Sequence, residues 1–300
     1  MGVLDGRVAV ITGAGRGLGR EYALLFAAEG ASVVVNDLGT GPGGEGASAG
    51  PAQEVVAEIE GRGGAAVANT DDVADWDGGR RLIEQAVETF GRLDVLVNNA
   101  GFVRDRYLVN MTEEEWDSVI RVHLKGHFVP TRWAAGHWRD RHKAGEPVSA
   151  AVINTTSASG LIGNRGQTNY GSAKAGVALF TITCAKELGR YGVRVNCVSP
   201  AARTRLLMQT PGLADRATPP EDEDAFDQWD PENIAPLVAW LASEECPATG
   251  RVFLIHGGTI RNCRPFVLDD GISKEGRWTI DDLRASEATL LGNTVETAAR

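Results

Sequence analysis

Tyr170-Gly171-Ser172-Ala173-Lys174 sets a phenol and an amine four residues apart. On a helix those positions share a face, so the ammonium can lie beside the hydroxyl. Free tyrosine ionises near ~10 and is a poor base at neutral pH. A neighbouring cation favours the phenolate and draws that pKa toward the working range. Ser157 lies upstream at the end of an apolar run, where its hydroxyl can hold a substrate oxygen. Such a set suits moving a proton at a carbinol oxygen. A lone Y-x-x-x-K also arises by chance as an exposed helix pair, so its meaning depends on its company.

That company is a glycine loop, Thr12-Gly13-Ala14-Gly15-Arg16-Gly17-Leu18-Gly19, directly after the apolar run Arg7–Thr12. Gly13, Gly17 and Gly19 fit G-x-x-x-G-x-G. Glycines there let the backbone turn sharply and approach a pyrophosphate seated on a helix N-terminus. An ordinary tight turn is the plain alternative, but the strand before, the helix after and an acid closing the next strand argue for a dinucleotide. The acid is Asp37, after Val33-Val34-Val35-Asn36. Its carboxylate can accept from ribose hydroxyls and repels a 2′-phosphate, which favours NAD over NADP. Arg16 points the other way, since a base in the loop could meet that phosphate. Asp37 is expected to prevail, because a fixed anion beside a phosphate dianion costs more than a mobile guanidinium recovers.

The elements that must position these groups alternate along the chain. Short apolar runs at 7–12, 33–35, 65–68, 95–97, 150–153, 193–198 and 252–255 read as buried parallel strands. Helical spacing follows at Leu18–Glu29, Val55–Ile59 and Leu82–Phe90, in a long stretch through Lys186, and around Ile234–Leu241. This alternation predicts an α/β fold, one doubly wound Rossmann domain with a mostly parallel seven-stranded sheet over residues 1–258. Gly39–Gly50 reads as a surface loop. Residues 259–300 form a polar extension with one helix start, a capping box of Thr279 and Asp282 before Leu283.

Hydrophobic content of 43% supports a packed core, and a net charge of −10 without basic clusters argues against nucleic acid. Cys184, Cys197, Cys246 and Cys263 lie far apart with no metal spacing, so no metal is expected and the thiols suit a reducing, cytoplasmic setting. No run is long and apolar enough to span a membrane. Met1-Gly2 lacks the later Ser or Thr of a myristoylation signal, because Gly6 stands there.

Over residues 5–258 the chain resembles the short-chain dehydrogenase/reductase family. The matches are Thr12–Gly19, Asn98-Asn99-Ala100-Gly101, Ser157, Tyr170-x-x-x-Lys174 and Ser199-Pro200. The resemblance implies that Gly13, Arg16, Gly17, Leu18, Gly19 and Asp37 hold the cofactor, with Asn99, Ala100 and Gly101 near its adenosine ribose. Asp72 and Val73 would flank the adenine, with Asp71 a rival for that contact. Lys174 would also bond the nicotinamide ribose, and the segment after Pro200 would close over the carboxamide, with Thr204 touching it. Two departures stand out. His123, in Val122-His123-Leu124-Lys125-Gly126, occupies the place of an Asn that belongs to a proton relay. Either its backbone carbonyl holds a relay water, its side chain takes part, or it is a satisfied helix histidine. Pro200-Ala201-Ala202-Arg203-Thr204 lacks the Gly after Pro and is one residue short.

Narrower stretches, Val35–Gly39, Arg104-Asp105-Arg106, Arg121–Leu124 and Gly163-Asn164 to Gly166-Gln167, resemble the (3R)-hydroxyacyl-CoA dehydrogenase module of peroxisomal multifunctional enzymes. This is the 17-beta-hydroxysteroid dehydrogenase type 4-like group, which carries the same His. A 3-hydroxyacyl-CoA or a hydroxysteroid is therefore the expected alcohol. Leu206–Asp230 should form a lid; its acidic turn, Pro219–Asp224, suits coenzyme A phosphates poorly. Leu206, Leu207, Met208, Phe226 and Trp229 would suit a bulky apolar alcohol. The competing functions are an NADPH-dependent ketoreductase, which Arg16 favours, and a non-catalytic cofactor-binding protein, which the presence of both Tyr170 and Lys174 disfavours. The helix bearing the pair runs through Ala173, Ala175, Gly176, Ala178, Leu179, Thr183 and Ala185, small residues that suit close pairing into a homodimer or homotetramer.

Overall fold

The computed structural model describes the chain apart from residues 1, 42, 210–216, 223–224, 265–266, 269–270 and 292–300. The expected strands are all present: β1 (Val8–Thr12), β2 (Ser32–Asn36), β3 (Ala65–Asn69), β4 (Val95–Asn98), β5 (Ala150–Thr155), β6 (Val193–Ala201) and β7 (Val252–His256). An eighth, β8 (Thr259–Cys263), pairs antiparallel with β7. Among the described residues the sheet order is β3-β2-β1-β4-β5-β6-β7-β8, with every pairing before β8 parallel. The sheet thus has eight strands, not seven. A signal for the eighth was in the sequence, since Gly257-Gly258 directly after the apolar run of β7 is a hairpin turn, and Gly257 takes φ +50° there.

Helices α1 (Gly17–Ala28), α2 (Gly50–Gly61), α3 (Trp76–Phe90), α4 (Glu113–Ile120), α5 (Gly126–Lys143), α6 (Ala158–Ile162), α7 (Thr168–Leu188), α8 (Arg205–Gln209) and α9 (Ala235–Ala242) connect the strands. Strands buried on both faces send alternate side chains to opposite layers. Ala9, Ile11, Val33 and Val35 meet Tyr22 and Phe26 of α1, Ile59 of α2 and Leu241 of α9. Val8, Val10, Val34 and Leu96 meet Leu82 and Ile83 of α3, Trp138 of α5 and Ala185 of α7.

Between α4 and α5 the chain makes a five-residue π-helical turn, Arg121–Lys125. A capping box of Thr112 and Glu115 starts α4. Sequence periodicity does not reveal this stretch, because α5 mixes charged and aromatic residues and holds Pro130.

The compact unit runs to Cys263, and residues 264–300 form a separate unit. In the latter, α10 (Ile280–Ala285) starts on the expected Thr279–Asp282 capping box and is followed by α11 (Glu287–Leu291). No helix among the described residues is long and apolar enough to cross a membrane.

From β1 the sheet winds outward to β3 on one side and from β4 on the other. That reversal leaves a crevice at the carboxyl ends of β1 and β4, the place where open α/β sheets take ligands.

Candidate active site

A cavity of about 420 Å³ fills this crevice, within the range of small-molecule sites. Its wall at one end is the loop after β1. Gly13 and Gly17 take φ of +64° and +52°, a region that side-chain-bearing residues avoid. Gly13, Arg16, Gly17 and Leu18 line the cavity. Gly19 does not line it. A Cβ there would fall 2.2 Å from the Gly13 carbonyl oxygen, so its role is to let the helix approach the turn.

Asn99, one residue past β4, braces the same loop. Its amide donates to the Thr12 and Gly13 carbonyls at 3.1 Å each, while Thr12 Oγ1 accepts from the Asn99 and Ala100 N–H groups. Asn99, Ala100 and Gly101 line the wall. Asp37, after β2, is fixed by two backbone donors, Gly15 N at 2.8 Å and Gly39 N at 2.6 Å. An ionised carboxylate keeps further lone pairs for a ligand. Asp71, Asp72 and Val73 line the far end; Asp72 is paired with Arg121 at 2.6 Å and Asp71 with Arg81 at 2.5 Å. Pro200, near the end of β6, and Thr204, beyond it, complete the rim.

These groups fit a nicotinamide dinucleotide. The positive-φ glycines leave a cradle without side chains, and Asp37 stands where a ribose would need an acceptor.

At the other end of the cavity Ser157, Tyr170 and Lys174 come together. Ser157 follows β5 and caps α6; the other two lie one helical turn apart on α7. Lys174 is 2% exposed, and its Nζ donates to the Thr155 carbonyl at 2.6 Å. It lies 5.6 Å from the Tyr170 ring centroid. Burial pushes the Lys174 pKa down to about 7. Burial likewise pushes the Tyr170 phenol up to about 12, opposed by a hydrogen bond with Ser157 and reinforced by the charge of Asp105. The expected drop in the tyrosine pKa is thus absent in the protein alone, because desolvation outweighs the Ser157 hydrogen bond.

His123, in the π-helical turn, is 1% exposed and meets the Tyr170 ring edge-on, with centroids 5.0 Å apart. Its Nε2 faces the Phe102 backbone, 2.6 Å from the carbonyl oxygen and 3.2 Å from the N–H, and both contacts are made by Nε2 rather than Nδ1. That Nδ1 is buried with no partner among the described residues. Gly101 must be glycine for this packing, since a Cβ there would meet the ring at 2.1 Å. One turn later His127, which the sequence reading missed, is also 1% exposed and accepts from Thr155 N at 3.3 Å. Burial first, then the Lys174 charge, holds both imidazoles well below their ordinary pKa and therefore neutral. The i, i+4 spacing of two histidines was the signal that could have found the second.

The cavity also touches Ser159, Asn164, Gln167, Arg205, Leu206 and Leu207. Of the other apolar lid residues, Phe226 and Met208 are exposed, and Trp229 packs on His256 with centroids 4.4 Å apart, so none of these three lines the cavity. Part of the expected lid, 210–216, and residues 223–224 of its acidic turn lie outside the described residues.

A family model described as short chain dehydrogenase matches residues 7–211. The hydroxyacyl-CoA dehydrogenase ChsB1 of Mycobacterium tuberculosis is 42% identical over 94% of this chain and 88% of its own length. The peroxisomal multifunctional enzyme type 2 of Mus musculus is 42% identical over 87% of this chain, which spans 33% of that longer protein. The crystal structure of a short chain dehydrogenase from Mycobacterium avium, 51% identical, matches with a TM-score of 0.85 over 97% of this chain and 96% of that one.

Burial of Lys174 has a measurable consequence. Its folded pKa lies below the unfolded one, so between about pH 7 and 10.5 the unfolded chain binds the extra proton and stability rises with pH. In urea unfolding of the protein alone, Lys174→Met should be the more stable form at pH 7 by up to about 4 kcal/mol, with the gap nearly closed at pH 10. A gap that stays constant over that interval would mean an ordinary lysine.

Proposed function

The chain belongs to the short chain dehydrogenase family, and we propose that within it the protein oxidises a secondary alcohol to a ketone with NAD. It is an oxidoreductase acting on CH–OH groups with a nicotinamide cofactor. The observation that carries the finer reading is a single cavity with Ser157, Tyr170 and Lys174 at one end and the glycine loop with Asp37 at the other.

In this reading the carbinol oxygen sits between the Ser157 and Tyr170 hydroxyls, and the Tyr170 oxygen takes its proton. Lys174 favours the phenolate, and its charge is undiluted by water. His123 holds the phenol ring in place from the side. When bound, oxidised nicotinamide supplies the hydride acceptor and further positive charge beside the phenol. The walls exclude water from the developing charge, which strengthens each of these interactions.

Asp37 supports NAD. Pinned by Gly15 and Gly39, it cannot swing away from a 2′-phosphate, and the repulsion is retained. The second reading, an NADPH-linked ketoreductase, draws on Arg16 and Arg205, which line the same wall. For substrate, the hydroxyacyl-CoA dehydrogenase named above supports a hydroxyacyl thioester, read here as the 3-hydroxy compound; a hydroxysteroid is the other candidate. The free thiols support a reducing, cytoplasmic setting.

A homodimer or a tetramer of dimers is proposed through the outer faces of α5 and α7, where Phe128 and Leu179 are exposed. A shallow cavity of about 510 Å³ lies there, lined by Phe128, Phe180 and Tyr191 among others. Of the residues expected to pair on this helix, Leu179 is exposed but most of the small ones named are not. Ala173, Ala178 and Ala185 are covered by the protomer itself, and Gly176 packs on Leu124.

Tyr170→Phe should lower kcat by at least roughly a hundredfold while leaving NADH affinity within about threefold. A variant keeping more than a tenth of the wild-type rate would remove Tyr170 from the proton-handling role. For Asp37→Ala, the ratio of kcat/KM with NAD to that with NADP should fall by about two factors of ten. Wild type preferring NADP would instead favour the arginine reading. In light scattering, wild type should run as a dimer or tetramer and Leu179→Arg as a single chain. A monomeric wild type at micromolar concentration would sink the assembly proposal.

A further inference from the structure

Gln167 stands just before Tyr170, at the N-cap of α7, 5% exposed yet lining the cavity. Its side chain makes no capping bond to the helix. Its amide oxygen accepts from the Ser159 hydroxyl at 2.6 Å and from the Asn164 amide at 3.0 Å. Its amide nitrogen donates to Asp105 at 2.9 Å. A carboxylate only accepts, so these partners fix which end of the amide is nitrogen. The backbone is held as well: Arg106 N donates to the Gly166 carbonyl at 2.7 Å, and Arg106 forms a β-bridge with Gln167. The network reaches the site itself, since Ser159 N donates to Ser157 Oγ at 3.3 Å.

Two features of this arrangement are unused by alcohol oxidation alone. The Gln167 nitrogen carries two hydrogens, and Asp105 is its acceptor among the described residues, so one hydrogen is left over. Asp105 meanwhile keeps a buried oxygen with no partner among them, a costly arrangement for a residue that served only packing. A simple secondary alcohol offers one oxygen, already met by Ser157 and Tyr170. An oriented amide beside them suits a second oxygen on the same substrate.

We propose that Gln167 determines specificity by donating its second N–H to a carbonyl oxygen near the carbinol carbon, so that hydroxy-carbonyl compounds such as a 3-hydroxyacyl thioester are preferred over alcohols without that second oxygen. The inference rests on the alcohol-oxidation reading and chooses between its two candidate substrates. Held from both sides, the amide needs no reordering when substrate enters, which raises the gain from one hydrogen bond. A site built to bond a substrate group also rejects analogues lacking that group.

The test compares wild type, Gln167→Leu and Asp105→Ala on an N-acetylcysteamine thioester of 3-hydroxyhexanoate and on 3-hexanol, with NAD and absorbance readout. In wild type the thioester should have the higher kcat/KM. Its ratio to 3-hexanol should fall roughly tenfold in Gln167→Leu, mainly through KM, and by a smaller factor in Asp105→Ala, where the amide is free to turn. Equal losses on both substrates, or a ratio that does not move, overturn the proposal. Calorimetric binding of the 3-oxohexanoyl thioester to the NADH-bound protein is measured in parallel and should weaken about tenfold in Gln167→Leu. If binding weakens in this way but no alcohol is oxidised by wild type, the contact stands and the redox reading fails. If alcohols are oxidised and binding is insensitive to Gln167, the reverse holds.

Discussion

An ammonium ion is tolerable inside a protein only where fixed oxygens and dipoles replace water. Lys174 meets that condition only in part, with the Thr155 carbonyl at the end of β5, and the uncompensated remainder lowers its pKa; the rest of the crevice is arranged around it. The histidines nearby, His123 and His127, stay neutral chiefly because they are buried, and the Lys174 charge adds to that. Tyr170 lies close enough to receive the field, and Ser157 is kept at its hydroxyl by the cap of α6. Move β5 by one residue and Thr155 turns its carbonyl elsewhere. The register of the central strands is therefore a condition of the chemistry as well as of the core.

The two ends of the cavity place opposite demands on the chain. At the glycine loop, side chains must be absent so that backbone can approach a ligand, and neighbours such as Asn99 spend their polar groups bracing that backbone. At the tyrosine end, side chains crowd in to exclude water. Strand ends supply the first kind of position and helix faces the second. A doubly wound sheet offers both on one edge.

What the sequence made legible follows from how local each signal is. The strands were plain because a strand buried on both faces is a continuous apolar run. The glycine loop, Asp37, Ser157, Tyr170 and Lys174 were plain because their spacing is short and tied to strand and helix ends. The stretch through α4 and α5 was not, since Pro130 and scattered charges blur its period. His127 and the orientation of Gln167 escaped for a different reason: both depend on partners far along the chain, Thr155 for one and Asp105 for the other. The eighth strand was missed because the polar run Thr259–Cys263 has little apolar content, although its Gly-Gly turn marked it.

That last strand changes what lies at the sheet's boundary. Without it, β7 would present a row of unpaired backbone groups flanked by Phe253 and Ile255, a ready template for another extended segment. With it, the outermost strand is a five-residue ribbon with Arg261 near its middle and most of its side chains in solvent. A newcomer strand would have to dehydrate that arginine and would find little apolar surface in return. The hairpin thus acts as a selvedge on the sheet, a finished border that keeps a very apolar weave from being extended by its neighbours in a crowded solution.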